Sequence, residues 1–326
     1  MKNREIKNFT DPIKDELKQF EKFFSDQMRS RVGLVELIVR YILRQKGKKI
    51  RPALVLLSAK TIGDVNEHTY RGAVLVEMLH TATLVHDDVV DNSDTRRGLP
   101  SINAIWKNRI AVLMGDYLLA RGLQIAVDNN EFEFLKVITN TVKRMSEGEL
   151  LQIQKIRKLN NDEETYLKII SDKTASLFST CTTIGAMSIT NEQNVIDDFR
   201  NFGELLGIAF QIKDDILDFE GTSSIMGKPT GNDLREKKLT LPIIYALKQA
   251  EKNEVKSIKN LIRGKLSNKD LNSIFEFVAK YDGINYANNR AKEYASKAID
   301  IISKYRDSES KQALIDLVNF IISRKN

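Results

Sequence analysis

Residues 202–218, FGELLGIAFQIKDDILD, decide how this chain is read. Apolar side chains recur there at helical spacing, and the run ends in Asp214, Asp215 and Asp218, a DDxxD pattern. Residues 69–91, TYRGAVLVEMLHTATLVHDDVVD, repeat the arrangement and end in Asp87, Asp88 and Asp91. Both stretches are apolar on most faces, so both are expected to be helices inside a bundle. Helical periodicity continues over 34–45, 51–61, 109–128, 131–158, 162–185, 240–251, 255–263, 269–280, 286–304 and 309–323. Strand alternation is nowhere sustained. The expectation is an all-α protein, a single domain over residues 1–326 built as one large bundle of roughly a dozen helices.

Composition agrees. Of 326 residues, 42% are apolar and 29% charged, which excludes a mostly disordered chain. Gly and Pro number only 16 and 5, too few for an all-β protein rich in tight turns. The lone Cys181 excludes a disulfide framework and fits a reducing, cytoplasmic setting. No apolar run is read as approaching the roughly 18 to 20 residues that span a bilayer. The first residues mix both charge signs and lack the apolar core of a secretory signal. The net charge is 51 − 44 = +7, and residues 248–326 hold 16 − 10 = +6 of it. These charges are spread singly, which fits solvated helix faces better than a nucleic-acid surface, and no nucleic-acid recognition motif accompanies them.

The aspartates carry the chemistry. Helical residues four apart lie about 40° apart and neighbours about 100° apart, so each triad falls within one arc. Three carboxylates so close repel each other and resist desolvation. A hard divalent cation relieves this, and Mg²⁺ suits one or two carboxylates completed by water and phosphate oxygens. With 23 Asp in the chain, chance gives a DDxxD about 0.1 times, so two such patterns are informative. Acids at a helix C-terminus also oppose its dipole, a placement that a bound cation would offset. Gly203, Gly207 and Gln211 share the face of the second triad, either to admit a long apolar ligand or to allow tight helix packing. His80 lies seven residues before Asp87, about 20° away on the wheel, and is expected to face the site. Phosphate bound at such a site needs cations and N–H donors. Candidates are Lys48 and Arg51 before a helix, Arg96 and Arg97 after the first triad, Lys173 and Thr174 where a helix starts or is interrupted, and Lys228 and Lys238 after the second triad.

At these residues the sequence resembles the trans-isoprenyl diphosphate synthases (polyprenyl synthetases) of medium- and long-chain type. KGKKIRP (46–52) is similar to the family's GGKxxRP, with Lys46 in place of the first glycine. LHTATLVHDDVVDNSDTRRG (79–98), DKTASLF (172–178), GIAFQIKDDILDFEG (207–221) and GKPTGNDLREKKLTLP (227–242) follow in the family's order, with Lys237 where glycine is usual. The resemblance implies an isoprenoid-synthase-like bundle around a central cavity. It implies head-to-tail condensation of isopentenyl diphosphate onto an allylic diphosphate. Three Mg²⁺ ions would be bridged by Asp87, Asp91 and Asp214, with Asp88, Asp215 and Asp218 in support. Arg96, Lys173, Lys228 and Lys238 would hold the allylic diphosphate, and Lys48, Arg51, His80 and Arg97 the isopentenyl diphosphate. Thr174, Gln211 and the Lys173 carbonyl would face the allylic cation. A homodimer is implied, with 109–127 as the candidate interface, and transient membrane contact during product release is a further expectation.

Product length should be set along the helix before Asp87. Ala82 and Thr83 are small, with Leu79 and Val76 one turn further back, so no bulky ring blocks a growing chain. One isoprene unit is comparable to one helical turn, roughly 5 Å, which suggests a product of about C30–C45. On an ideal wheel Ala82 points away from the aspartate arc, and Ala126, Ile138 and Met145 are candidates for the pocket floor. The alternatives are a shorter-chain (farnesyl or geranylgeranyl) synthase, a terpene cyclase, or a non-catalytic regulatory subunit. The last two are expected to lack one of the two acidic triads.

Overall fold

The computed structural model describes residues 9–45, 47, 49–96, 98–220 and 231–324. Lys48, Arg97 and Lys228 therefore lie outside the described residues. The protein is all-α in its architecture, as its sequence implies. The helices are α1 (Lys14–Gln27), α2 (Gly33–Arg44), α3 (Ile50–Ile62), α4 (Glu67–Val90), α5 (Ile102–Asp128), α6 (Phe132–Lys158), α7 (Glu163–Ile170) and α8 (Ser176–Met187). They continue as α9 (Gln193–Glu220), α10 (Asn232–Arg235), α11 (Leu241–Gln249), α12 (Lys252–Arg263), α13 (Asn268–Lys280), α14 (Gly283–Ser303) and α15 (Glu309–Ser323). Two two-residue strands, β1 (Thr95–Arg96) and β2 (Leu99–Pro100), form an antiparallel hairpin that periodicity did not suggest.

The chain divides into two compact units. The first comprises Met1–Asn140, Thr180–Arg200 and Tyr305–Leu314. Its core is α3, buried on every face from Pro52 to Ala59, against which α4 packs. Gly185 allows this closeness: a Cβ there would meet the Val55 carbonyl oxygen at 2.5 Å. Helix α4 begins with a capping box in which the Asn66 side chain accepts the Thr69 N–H while the Thr69 hydroxyl accepts the Asn66 N–H. Helix α1, absent from the periodicity reading, exists because Phe20 and Phe24 stack at i, i+4 on a buried face that its many charges obscure. Helix α5 starts earlier than 109. Ser101 caps a first turn, and the chain breaks direction at Lys107 (φ 72°, ψ 160°) before resuming.

The second unit comprises Thr141–Ser179, Asn201–Lys304 and Ile315–Asn326. Its core joins Ile212 and Ile216 of α9 with Ile243, Ile274, Val278 and the small face Ala287 and Ala291 of α14. Each large aliphatic side chain so buried contributes about 1.5–3 kcal/mol. Gly283 opens α14, and a Cβ there would lie 2.3 Å from the Pro242 carbonyl oxygen. The expected helix 162–185 is interrupted by a π-helical turn, Ser171–Ala175, as the reading of Lys173 and Thr174 anticipated.

One expectation is corrected. Among the described residues α5 is long and apolar enough to cross a membrane by length and composition, with a mean hydropathy of 1.5 over its best window. A search for an unbroken apolar run misses it, because scattered polar residues interrupt the run without lowering its average.

Candidate active site

In the first unit, α4 delivers its triad at its C-terminal end. Asp87 and Asp91 are exposed, one helical turn apart, while Asp88 is only 3% exposed. The chain then turns through Asn92 (φ 49°) into the β1–β2 hairpin, and the Ser101 hydroxyl donates to the Ser93 carbonyl at 2.6 Å. This return brings Arg96 back to Asp88. Its Nε donates to Asp88 Oδ1 at 2.9 Å, and its Nη2 reaches the same oxygen. Asp88 thus orients Arg96 and the end of the helix, which fits its expected supporting place. His80 is buried on α4. His86, to which the sequence gave no role, lies against Gly115 of α5 with Nε2 3.3 Å from Asp116 Oδ1. It joins two helices. Lys49 caps α3 in a left-handed conformation and pairs with Glu21, and Arg51 follows it, half-buried. A cleft lined by Gly47, Lys49, Glu77, Asp88 and Arg96 opens beside these residues.

A separate, nearly closed seam in this unit is lined only by apolar side chains and a glycine, among them Leu75, Leu79, Gly122, Ala126 and Ile138. Of the residues expected to set product length, Leu79, Ala126 and Ile138 meet here. Val76 and Ala82 are buried but do not line it, and the Thr83 hydroxyl donates to the His80 carbonyl at 2.9 Å. Met145 belongs to the second unit and is half-buried there.

In the second unit the triad on α9 is wired to the π turn. Thr174 Oγ1 donates to Gln211 Oε1 at 2.8 Å, and Gln211 Nε2 donates to Asp215 Oδ1 at 2.8 Å. The Tyr166 hydroxyl donates to Asp215 Oδ2 at 2.7 Å. Both oxygens of Asp215 are therefore engaged by the protein. Burial, and then the nearby Asp233 carboxylate, push its pKa up to about 8. Asp218 accepts the N–H groups of Asn232 and Asp233, each at 3.1 Å, and so anchors α10. Burial, and then Asp218, raise Asp233 to about 6. Asp214 pairs through Oδ1 with Arg324 Nη2 at 2.5 Å. Lys173 Nζ donates to Gln152 Oε1 at 2.7 Å and pairs with Glu149, and Lys238 pairs with Glu236 at 2.5 Å. Gln152, Tyr166, Lys173, Thr174, Gln211, Asp215, Asp233 and Lys238 line one cleft.

A Cβ on Gly207 would lie 2.5 Å from Ala175 Cα, so this glycine serves close packing of α9 on the π turn rather than ligand access. Lys237, where glycine is usual in the resembling family, has φ 61°, the conformation that favours glycine. Sequence reasoning missed Tyr166, Asp233 and Arg324. Asp233 lay inside a quoted motif, whereas Tyr166 and Arg324 carry no local signal.

Among the described residues no three His, Cys, Asp or Glu side chains gather closely enough to hold a metal alone. Mg²⁺ takes one or two protein carboxylates and completes its shell with water and phosphate oxygens. The donors are hard carboxylate oxygens, and Asp87 and Asp91 expose theirs one helical turn apart. The residues fit such a cation.

The sequence profile of the polyprenyl synthetase family matches residues 32–278. An all-trans-nonaprenyl-diphosphate synthase (geranyl-diphosphate specific) from Rhodobacter capsulatus is 35% identical over 317 residues, covering 96% of this chain and 96% of that protein. A crystal structure of a decaprenyl diphosphate synthase from the same organism superposes with TM-score 0.92 at 32% identity, covering 98% and 99% of the two chains. A polyprenyl synthase from Caulobacter crescentus, complexed with calcium and isoprenyl diphosphate, superposes with TM-score 0.89 at 31% identity and 98% of each chain.

Proposed function

We propose a residue-level mechanism for a chain that belongs to the polyprenyl synthetase family and is a trans-prenyl diphosphate synthase of medium- to long-chain type. In this reading an allylic diphosphate is bound with Mg²⁺, three ions in all, by Asp87, Asp91 and Asp214. Magnesium, when bound, neutralises the diphosphate and makes it a better leaving group. Arg96, Lys173, Lys228 and Lys238 add fixed positive charge where the leaving diphosphate gains negative charge, which is where such charge lowers the barrier. Lys48, Arg51, His80 and Arg97 hold isopentenyl diphosphate. As the allylic C–O bond breaks, the Thr174 hydroxyl, the Gln211 amide and the Lys173 carbonyl offer oriented dipoles to the cation left behind. The isopentenyl double bond then attacks that carbon, and the proton lost from the new cation goes to the departed pyrophosphate. The products are a prenyl diphosphate one unit longer and inorganic pyrophosphate.

One observation carries the reading: the Thr174–Gln211–Asp215–Tyr166 hydrogen-bond chain, which ties the π turn to the second aspartate triad within one cleft. Asp215 and Asp218, already engaged by the protein, act in support, and Asp88 does the same through Arg96. In this reading the apolar lining at Leu79, Ala126 and Ile138 faces the growing chain and parts to admit it. The relative named for a nonaprenyl product favours the long end of the range. Exposed Val112 (40%) and Leu113 (56%) on α5 suit it as the interface of a homodimer, and a sedimentation mass of one chain would refute that. The reaction is tested by incubating the purified protein with Mg²⁺, isopentenyl diphosphate and farnesyl diphosphate. Reversed-phase chromatography should show all-trans products of about C30–C45, by the length argument of one helical turn per isoprene unit. No elongation with any allylic primer would overturn it.

A further inference from the structure

The π turn that carries Lys173 and Thr174 is gripped from two sides. On α6, a Cβ at Gly148 would lie 3.0 Å from Asp172 Cβ and 3.2 Å from the Lys173 nitrogen, so the helix backbone lies directly against the turn. On α9, Gly207 lies as close to Ala175. Between these contacts sits a charge bridge. Arg144 of α6 donates through Nε to Asp172 Oδ1 at 2.9 Å, and through Nη2 and Nη1 to the two Glu204 oxygens at 2.7 and 3.2 Å. Its Nη2 also reaches the Ser171 hydroxyl at 2.9 Å, and that hydroxyl donates to Glu204 Oε1 at 2.5 Å. Asp172 is buried, and its other oxygen pairs with Lys168 at 2.6 Å.

We propose that Arg144 is a positioning residue, which sets the π turn by bridging Glu204 to Ser171 and Asp172 and thereby aims Lys173 and Thr174. The inference rests on the roles given to those two residues above. A π turn is an uncommon backbone state that persists when its surroundings impose it. The planar guanidinium fork can serve two carboxylates and a hydroxyl at once, which neither Lys nor Gln can do. The polar ends of Lys173 and Thr174 go elsewhere, to Gln152 and Gln211, so Arg144 acts through the backbone. If the turn relaxed to α-helical register, the side chains beyond the inserted residue would rotate by about 100° about the helix axis, and Thr174 would leave Gln211.

The test uses Arg144→Gln, Arg144→Lys and Glu204→Gln in the full-length protein, with two readouts. The first is amide hydrogen exchange. Arg144→Gln should speed exchange in peptides spanning 171–175 and leave 268–280 unchanged; unchanged exchange at 171–175 would overturn the inference. The second is steady-state kinetics. Arg144→Gln should lower kcat by about 10–100-fold, as expected for misplaced reacting groups, with KM for isopentenyl diphosphate within about twofold. Arg144→Lys should recover part of the loss. In a double-mutant cycle with Thr174→Val, the two kcat effects should be strongly non-additive. Independent effects, or a loss that merely tracks the unfolded fraction, would overturn the inference. If Arg144→Gln does not fold, Glu204→Gln carries the same readouts. Should the wild-type protein itself not turn over, the reaction reading falls, while the exchange data still judge Arg144.

Discussion

The Tyr166 hydroxyl donates to Asp215 Oδ2 at 2.7 Å, with both groups buried. This bond holds the middle carboxylate of the second triad away from any ligand-binding duty and keeps α7 against α9. Tyr166→Phe should leave that oxygen without its donor and destabilise the fold by about 1–3 kcal/mol. Thermal melting should report the loss, with kcat falling as Gln211 and Thr174 lose their fixed partner. An unchanged melting temperature together with unchanged kcat would remove Asp215 from the hydrogen-bond chain argued above.

Arg96 is held at the end of α4 by Asp88. Asp88→Asn should keep the shape but weaken the charge-assisted bond. Binding of the allylic substrate should then loosen by about 1–2 kcal/mol, in line with loss of a charged hydrogen bond. Titration calorimetry against a non-reactive allylic diphosphate analogue measures this directly. Affinity equal to wild type would show that Arg96 needs no such anchor.

Gly207 meets the π turn with no room for a methyl group. Gly207→Ala should cost about 1–3 kcal/mol through overpacking, despite alanine's better helix propensity. Denaturant unfolding decides the sign. A stabilised variant would mean that α9 and the turn can separate freely.

The apolar cleft makes a prediction about product length. Ala126→Phe should crowd the lining that Ala126 shares with Leu79, Gly122 and Ile138, and should shorten the product by one or more isoprene units. Ala82→Tyr tests the alternative position read from sequence, which is buried but outside this cleft. Radiolabelled product analysis of the two variants separates them. Shortening by Ala82→Tyr alone would place the growing chain on the other side of α4.

The acidic triads, the helix that carries each, and the break at Lys173 were legible because each is a local pattern of spacing. The α1 helix was not, since its two phenylalanines are outnumbered by charges that the fold leaves in solvent. The hairpin at Arg96 was hidden for another reason: two residues per strand give no alternation to read. Tyr166 and Arg144 stayed invisible because their partners, Asp215 and the Asp172–Glu204 pair, come to them only through tertiary packing. A pocket position such as Ala82 is a different case. An ideal helical wheel already turned it away from the aspartates, and the lining of the cleft leaves it out.

Cooperation between the two triads in holding one diphosphate is the central claim. Binding of a non-reactive allylic diphosphate analogue should be measured by calorimetry with and without Mg²⁺, for wild type and for Asp87→Asn and Asp214→Asn. Wild type should bind only with the metal, and each single variant should weaken binding by at least about tenfold. Metal-independent binding, or one variant binding like wild type, would contradict the claim that both aspartate triads hold the same diphosphate.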